Sequence, residues 1–342
     1  MLALFILPID VKKAGAMRSN DLIVRFWGVR GSFPTTSSPT LRYGGNTACV
    51  SVDLLGQTLI WDAGTGIIPL GQALVRKARA NNQPIAATML FSHYHHDHTQ
   101  GFPFFAASRL KETRLQVFGP YIDGSGPGDV LGRVMAPPLF PVRLDELAAN
   151  ATYDVIEGDD CLQLRDSASG AVLCPADAVG QPGEGCARIF ALRSTEHLEE
   201  VFHYKLEWRG RSVIYATDRE GFLEEGNPLI EFARGADVLI HDAQYTESHY
   251  NGDAPGLPGT AGYGHSTVRM ACQAAELAGV KQLVLFHHAP EYNDDVLTGL
   301  VHEARKYFPN TVAAFEGMEI RLSGDTNEPP EINHDFPEAY LA

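Results

Sequence analysis

Short apolar runs recur along the chain, each closed by a polar or glycine-rich segment, and this alternation predicts a protein built largely of strands. Leu22-Ile23-Val24-Arg25-Phe26-Trp27-Gly28 reads as the first, followed by Ala48 to Leu54 and by Thr58-Leu59-Ile60-Trp61. Residues 67–80 read as a helix, and Ala86-Ala87-Thr88-Met89-Leu90-Phe91 is again an apolar run of strand length. Further runs are Ile189 to Leu192, a Tyr-containing strand at His203-Tyr204-Lys205-Leu206, Ser212 to Ala216, Val238 to Ile240 and Gln282 to Phe286. Helices are expected from the Gly264-His265-Ser266-Thr267 segment through about Ala278 and over 293–307, with one or two closing strands in 311–322. Between 102 and 188 the pattern is less regular. Phe102-Pro103-Phe104-Phe105 is an aromatic patch, Met135 to Pro141 a rigid proline-rich connector, and 167–186 a surface loop around a short strand. No internal repeat is present, so residues 22–322 read as a single domain between an N-terminal extension (1–21) and a polar, loosely ordered tail (323–342).

Several of these runs end in side chains that carry chemistry. The strand at 86–91 gives way to Ser92-His93-Tyr94-His95-His96-Asp97-His98. His93, His95, Asp97 and His98 are metal-ligand types crowded into six positions. On an extended strand end, His93, His95 and Asp97 share one face, and a turn brings His98 beside them. Imidazole suits zinc, and a mixed imidazole and carboxylate set also suits iron or manganese. Asp62, Asp218 and Asp242 likewise follow apolar strands, and glycines in Tyr43-Gly44-Gly45-Asn46-Thr47 and Asp62-Ala63-Gly64-Thr65-Gly66 permit close backbone approach.

The HYHHDH stretch resembles the HxHxDH signature of metallo-β-lactamase fold hydrolases. The resemblance spans roughly residues 22–322 and implies an α/β (α+β) chain folded as a four-layer αββα sandwich with a metal site along one edge. Together with WGVRGS, YGGNT and DAGTG ahead of it, the motif resembles the ribonuclease Z-related branch, which includes phosphoribosyl cyclic phosphodiesterase and cyclic-nucleotide phosphodiesterase-like proteins. That likeness implies two divalent metals, expected to be Zn2+ with Mn2+ or Fe2+ as alternatives. It places one metal on His93, His95 and His197, and the other on Asp97, His98 and His287, with Asp218 between them. Asp62 would support the site by holding a ligand imidazole. Family members carry His-Pro where this chain has His197-Leu198, a departure that leaves His203 as the alternative ligand. His287 is preferred over His288 as the first histidine after its strand. An Asp218 in place of the Cys or His of true β-lactamases points to the phosphodiesterase and glyoxalase-like branches. Asp242 and His265 match the pair that relatives couple for proton transfer. The implied catalytic set is therefore Asp97, Asp218, His265 and Asp242, acting on a small, cyclic phosphodiester. A carboxylic ester, thioester or lactone hydrolase is the alternative, and a non-catalytic metal-bound sensor the alternative of another class.

Composition narrows the partners. With 44% hydrophobic and 20% charged residues, the chain has the make-up of an ordinary globular enzyme. A formal net charge of -15, with no Lys/Arg cluster, repels a phosphate backbone, so no large nucleic acid is expected as partner. No stretch approaches a membrane span, no membrane partner is expected, and a homodimer is left open. The start, MLALFILPID, lacks basic residues before its apolar run and a small-residue cleavage site, unlike a secretory leader, and Met17 offers a second start close to the first strand. Five cysteines without CxxC spacing cannot pair completely, which favours a reducing compartment and a cytoplasmic location.

Overall fold

A computed structural model describes residues 21–158, 160–165, 170–175, 185–222, 224–324 and 326–333. All but the last residue of the expected N-terminal extension, most of the 167–186 loop on either side of its strand, and the end of the tail lie outside the described residues. Strands β1 (Leu22–Gly28), β2 (Cys49–Leu54), β3 (Gln57–Trp61), β4 (Ala86–Leu90), β5 (Arg114–Gly119) and β6 (Asn150–Val155) lie side by side in one sheet. The second sheet holds β7 (Asp160–Leu164), β8 (Ala171–Pro175), β9 (Ala187–Ser194), β10 (Val201–Trp208), β11 (Arg211–Ala216), β12 (Val238–Asp242), β13 (Gln282–Phe286) and β14 (Thr311–Ala313). The chain then returns through β15 (Glu319–Leu322) and β16 (Glu331–Ile332) to the open edge of the first sheet, beside β1. Part of the tail is therefore a strand, because Ile332 pairs with Ile320 and Glu331 with Arg321.

Both sheets are mixed. In the first, β3 through β6 run parallel and β1, β2, β15 and β16 antiparallel; in the second, β11 through β14 are parallel. Parallel pairs need crossovers, and helices supply them. Helix α1 (Ile67–Asn81) joins β3 to β4, α4 (Pro228–Ala233) lies between β11 and β12, and α6 (Val268–Ala278) and α7 (Asp294–Ala304) flank β13 in sequence. The apolar stripe Ile67, Leu70 and Leu74 of α1 packs with Ile60, Met89 and Val117 on the outer face of the first sheet. Ala271, Ala274 and Ala275 of α6 join the core of the second sheet. Between the sheets, Val24, Val50, Val52 and Leu59 meet Tyr204, Leu206 and Tyr215, and Trp61 stacks on Tyr215 with centroids 5.3 Å apart. Helices outside and two sheets inside give the αββα sandwich that the resemblance implies.

The short strand expected within 167–186 is β8, and the irregular 102–188 region contains more structure than its pattern predicts: β5, β6, β7 and helix α3 (Pro127–Val134). Strand β6 lies at a sheet edge and alternates exposed and half-buried positions, so it lacks an apolar run for the sequence to display.

Candidate metal centre

The site forms where parallel strands of both sheets end. Three of those ends turn sharply: Asp62 after β3, Asp218 after β11 and His287 after β13 have φ of 60°, 53° and 62°. Ser32, facing them, has φ of 62°. Left-handed backbone at non-glycine residues costs on the order of 1–3 kcal/mol each and persists only where surroundings enforce it. Here the surroundings are the side chains of the site itself.

After β4 the chain continues extended to His95, and the short helix α2 (His96–Thr99) then carries Asp97 and His98 inward. Asp62 anchors this turn. Its Oδ1 accepts the Ser92 N–H at 2.7 Å, and its Oδ2 accepts the Ser92 hydroxyl (2.8 Å), His98 Nδ1 (2.8 Å) and the Tyr215 hydroxyl (2.7 Å). Because Asp62 accepts, His98 donates from Nδ1 and leaves Nε2 free to bind a metal. His197 Nδ1 faces the Gly264 carbonyl at 2.9 Å, and His287 Nδ1 faces Gln244 Oε1 at 3.0 Å. The Glu199 carboxylate lies 3.7 Å from His95 Nε2. His98, His197 and His287 thus each have an outer hydrogen-bond partner that fixes the ring, while Glu199 lies near His95 without a hydrogen bond to it.

The inward atoms form two adjoining groups. His93, His95 and His197 make one, with His197 Nε2 3.4 Å from His95 Nδ1; Asp97, His98, Asp218 and His287 make the other. In the second, His98 Nε2 lies 3.2 Å from His287 Nε2 and 3.3 Å from both Asp97 Oδ2 and Asp218 Oδ2. Ligands held at 2.0–2.2 Å around a tetrahedral ion stand roughly 3.3–3.6 Å apart. The spacing of these donors is therefore that of a metal's coordination edges. His93 Nε2 is buried without a hydrogen-bond partner, as expected of an atom reserved for a metal, and it lies 3.7 Å from Asp218 Oδ1. Asp218 consequently turns one oxygen to each group.

Electrostatics agree with a cation site. Burial, reinforced by the neighbouring histidines, holds His93 well below the ordinary imidazole range, and burial also lowers His95, so both are neutral donors. Burial alone would raise Asp97 and Asp218, but the surrounding histidines outweigh it and keep both well below the usual carboxylate range. His98 is also opposed by burial, yet Asp218, Asp97 and Asp62 push it well above its usual value. Three buried carboxylates around one imidazole require positive charge, which a divalent metal provides.

Next to the second group, His265 Nδ1 lies 2.7 Å from Asp242 Oδ2, while Asp242 Oδ1 accepts the backbone N–H groups of Gln244 (3.1 Å) and Ser266 (3.3 Å). The His265 ring stacks on His287 at 5.0 Å. Burial lowers its pKa, but the charge and hydrogen bond of Asp242 prevail and push it up to about 9.

The structure places His93, His95, His197, Asp97, His98, Asp218, His287, Asp242 and His265 in adjoining groups, with Asp62 on His98. His197 stands with His93 and His95, whereas His203 lies buried within β10, where burial pushes its pKa down to about 3. His288 turns away, with Nε2 on the Ala314 carbonyl at 2.9 Å. Sequence reasoning did not find Ser32, whose N–H donates to Asp97 Oδ2 at 2.8 Å, nor Gln244, Tyr215 and Glu199. Of these, only Ser32 carried a signal, its place in the glycine-containing WGVRGS segment.

Residues 57–288 match the family model described as the Beta-lactamase superfamily domain. The chain belongs to the beta-lactamase superfamily. It is 28% identical to ribonuclease Z of Thermoplasma acidophilum over 330 residues, covering 90% of this chain and 98% of that protein. Among solved structures, the metallo-beta-lactamase fold protein YhfI of Bacillus subtilis superposes with a TM-score of 0.60 at 17% identity, over 89% of this chain and 100% of YhfI. The short form of human tRNase Z gives 0.54 at 20% identity, over 87% of this chain and 98% of that one. The chain is a metal-dependent hydrolase of this fold, related to ribonuclease Z.

These relatives correct one expectation. Net charge argued against a large nucleic acid, but proteins named ribonuclease Z and tRNase Z are enzymes of RNA, and that exclusion is withdrawn. The physical reason is locality. The charge of -15 is summed over the whole chain, whereas charges beyond about 8 Å are largely screened at physiological salt, and a phosphate at this site would meet metal ions first. No helix among the described residues is long and apolar enough to cross a membrane.

Proposed function

We propose that the chain is a phosphodiesterase working with two divalent metal ions, one held by His93, His95 and His197 and the other by Asp97, His98 and His287, with Asp218 shared. The nitrogen-rich donor set suits zinc. Bound there, the metals would supply Lewis acidity toward a phosphate oxygen and an activated water as nucleophile.

The chain's own residues do the rest. Asp62, Gln244 and the Gly264 carbonyl hold ligand rings in the orientation that leaves their inward nitrogens unprotonated. Attack on phosphorus breaks the bond to the leaving oxygen, which needs a proton. His265, protonated by virtue of Asp242, donates that proton from Nε2, and Asp242 keeps Nδ1 engaged throughout. The observation that carries this reading is the 2.7 Å His265–Asp242 contact, lying directly against the ligand His287. A carboxylic ester hydrolase or a metal sensor has less use for an imidazolium dedicated to a poor leaving group. Within this reading, the substrate expected from the sequence is a small, cyclic phosphodiester.

The test is a substrate panel with metal-loaded protein: cyclic nucleotides, a nitrophenyl phosphodiester, precursor tRNA, a carboxylic ester and a thioester. Metal-dependent turnover of phosphodiesters is the expected result. Turnover of the ester or thioester with none of the phosphodiesters would overturn it.

A further inference from the structure

Glu220 stands two residues beyond Asp218, yet its carboxylate reaches away from the proposed metal ligands to a loop between helices α5 (Glu247–Tyr250) and α6. That loop contains Gly252, Gly256, Gly259, Gly262 and Gly264, so its backbone has little stiffness of its own. Its last residues nonetheless have an exacting task. The Gly264 carbonyl accepts His197 Nδ1 at 2.9 Å, and the next residue is His265. A Cβ at Gly264 would fall 2.0 Å from His197 Nδ1, so the two pieces are in close contact.

Glu220 fastens both ends of this loop. Its Oε1 accepts the Tyr250 hydroxyl and the Gly262 N–H, each at 2.6 Å, and its Oε2 accepts the Gly264 N–H at 2.7 Å. Tyr250 marks the start of the loop and Gly262 and Gly264 its end. Glu220 is itself tied to the segment before His197: its N–H donates to the Glu196 carbonyl at 3.0 Å, and Arg219 donates to Glu196 Oε2 at 2.7 Å and to the Glu220 carbonyl at 3.2 Å. The Tyr250 phenol is a donor at neutral pH in any case, and burial and the Glu220 carboxylate push its pKa further up, to about 12.

We propose that Glu220 is a positioning residue that staples the 251–264 loop, setting at once the orientation of His197 toward its metal and of His265 toward the leaving group. The inference rests on the roles proposed above for those two histidines. A carboxylate is suited to the task because it offers only acceptors to three donors. A glutamine would turn an NH2 group toward at least one of them.

The experiment compares metal-loaded wild type with Glu220→Gln, Glu220→Asp and Tyr250→Phe. Amide exchange over 251–265, metal transfer to a chelator, and turnover of an alkyl and a nitrophenyl phosphodiester are measured for each. For Glu220→Gln, exchange in the loop is expected to rise at least tenfold. Metal affinity should fall about 10–100-fold, the range for outer partners of ligands. The kcat loss should be larger on the alkyl diester than on the nitrophenyl one, with KM changed little. Glu220→Asp, which keeps the charge, should recover part of each loss. Unchanged loop exchange and metal affinity in Glu220→Gln would overturn the proposal whatever the reaction is. If that variant does not fold, Tyr250→Phe removes one of the three bonds and decides the matter by loop exchange alone, since no change there would equally overturn it. If exchange and metal affinity shift while wild type hydrolyses no phosphodiester, the staple stands and the phosphodiesterase reading falls.

Discussion

The Tyr215 hydroxyl donates to Asp62 Oδ2 at 2.7 Å, so a residue of the second sheet steadies the carboxylate that orients His98 on the first. The Tyr215 ring also lies flat on Trp61, the neighbour of Asp62, at an interplanar angle of 4°. The candidate metal site is thereby built into the packing between the sheets and not laid over it.

Tyr215→Phe tests that connection. The ring stack survives, while buried Asp62 loses one of its donors. Loss of a hydrogen bond to a charged acceptor costs about 1.5–3 kcal/mol, and disturbing an outer partner typically costs about 10–100-fold in metal affinity. Denaturant unfolding and chelator competition should both register the change. Wild-type values in both would mean that the remaining donors suffice to hold Asp62.

Gly31→Ala tests the same site sterically. A Cβ at Gly31 would lie 2.4 Å from the His287 ring, well inside contact distance. The ring or the Gly31 backbone must give way, so on the proposed two-metal reading an ion held by Asp97, His98 and His287 should weaken far more than one held by His93, His95 and His197. Metal analysis under limiting chelator should show one ion lost before the other. Full retention of both would show that the His287 ring can shift without leaving its ligand position.

Much of this arrangement was legible in the sequence because parallel strands buried on both faces appear as continuous apolar runs, and functional side chains gather at their ends. Asp62, Asp218, Asp242 and His287 all follow such runs, and the His93 to His98 cluster follows β4. What the sequence hid has physical causes. Tyr215 and Gln244 make their contacts across sheets or between loops, and nothing in their local pattern says so. Edge strands β6 and β16 bury little and leave no apolar run. The acidic net charge misled because it reports the whole surface, not the few ångströms around the site.

Asp218→Asn should separate charge from shape. Asparagine tolerates the left-handed backbone that Asp218 adopts at φ 53°, so the fold should persist. One of its oxygens becomes an NH2 donor, which cannot face a cation. Metal content is expected to fall from near two ions per chain to one or fewer, by elemental analysis of protein loaded with excess zinc. Two tightly held ions in the variant would remove Asp218 from the shared position.

The last prediction concerns pH. The protein's own charges place His265 near 9, raised by Asp242 against the lowering effect of burial. A general acid works while protonated, so kcat on an alkyl phosphodiester should be sustained at neutral pH and decline as pH rises through the His265 pKa. Metal cations beside Asp218, which faces His265 Nδ1 at 3.9 Å, disfavour the imidazolium, so the decline in loaded enzyme should come at or below pH 9. His265→Ala should abolish this basic limb and lower kcat by about 10²–10⁴-fold, the range for general acid catalysis, while both metals remain. The loss should shrink on a nitrophenyl diester, whose leaving oxygen needs little protonation. Asp242→Asn should shift the limb downward, because removing the anion lowers the His265 pKa toward its ordinary value. Parallel pH profiles of kcat for wild type and the two variants, on both diesters and with metal content checked, decide the point. An unchanged basic limb in His265→Ala would assign that ionisation elsewhere, and equal losses on both diesters would make His265 a phosphate-positioning group instead of the acid.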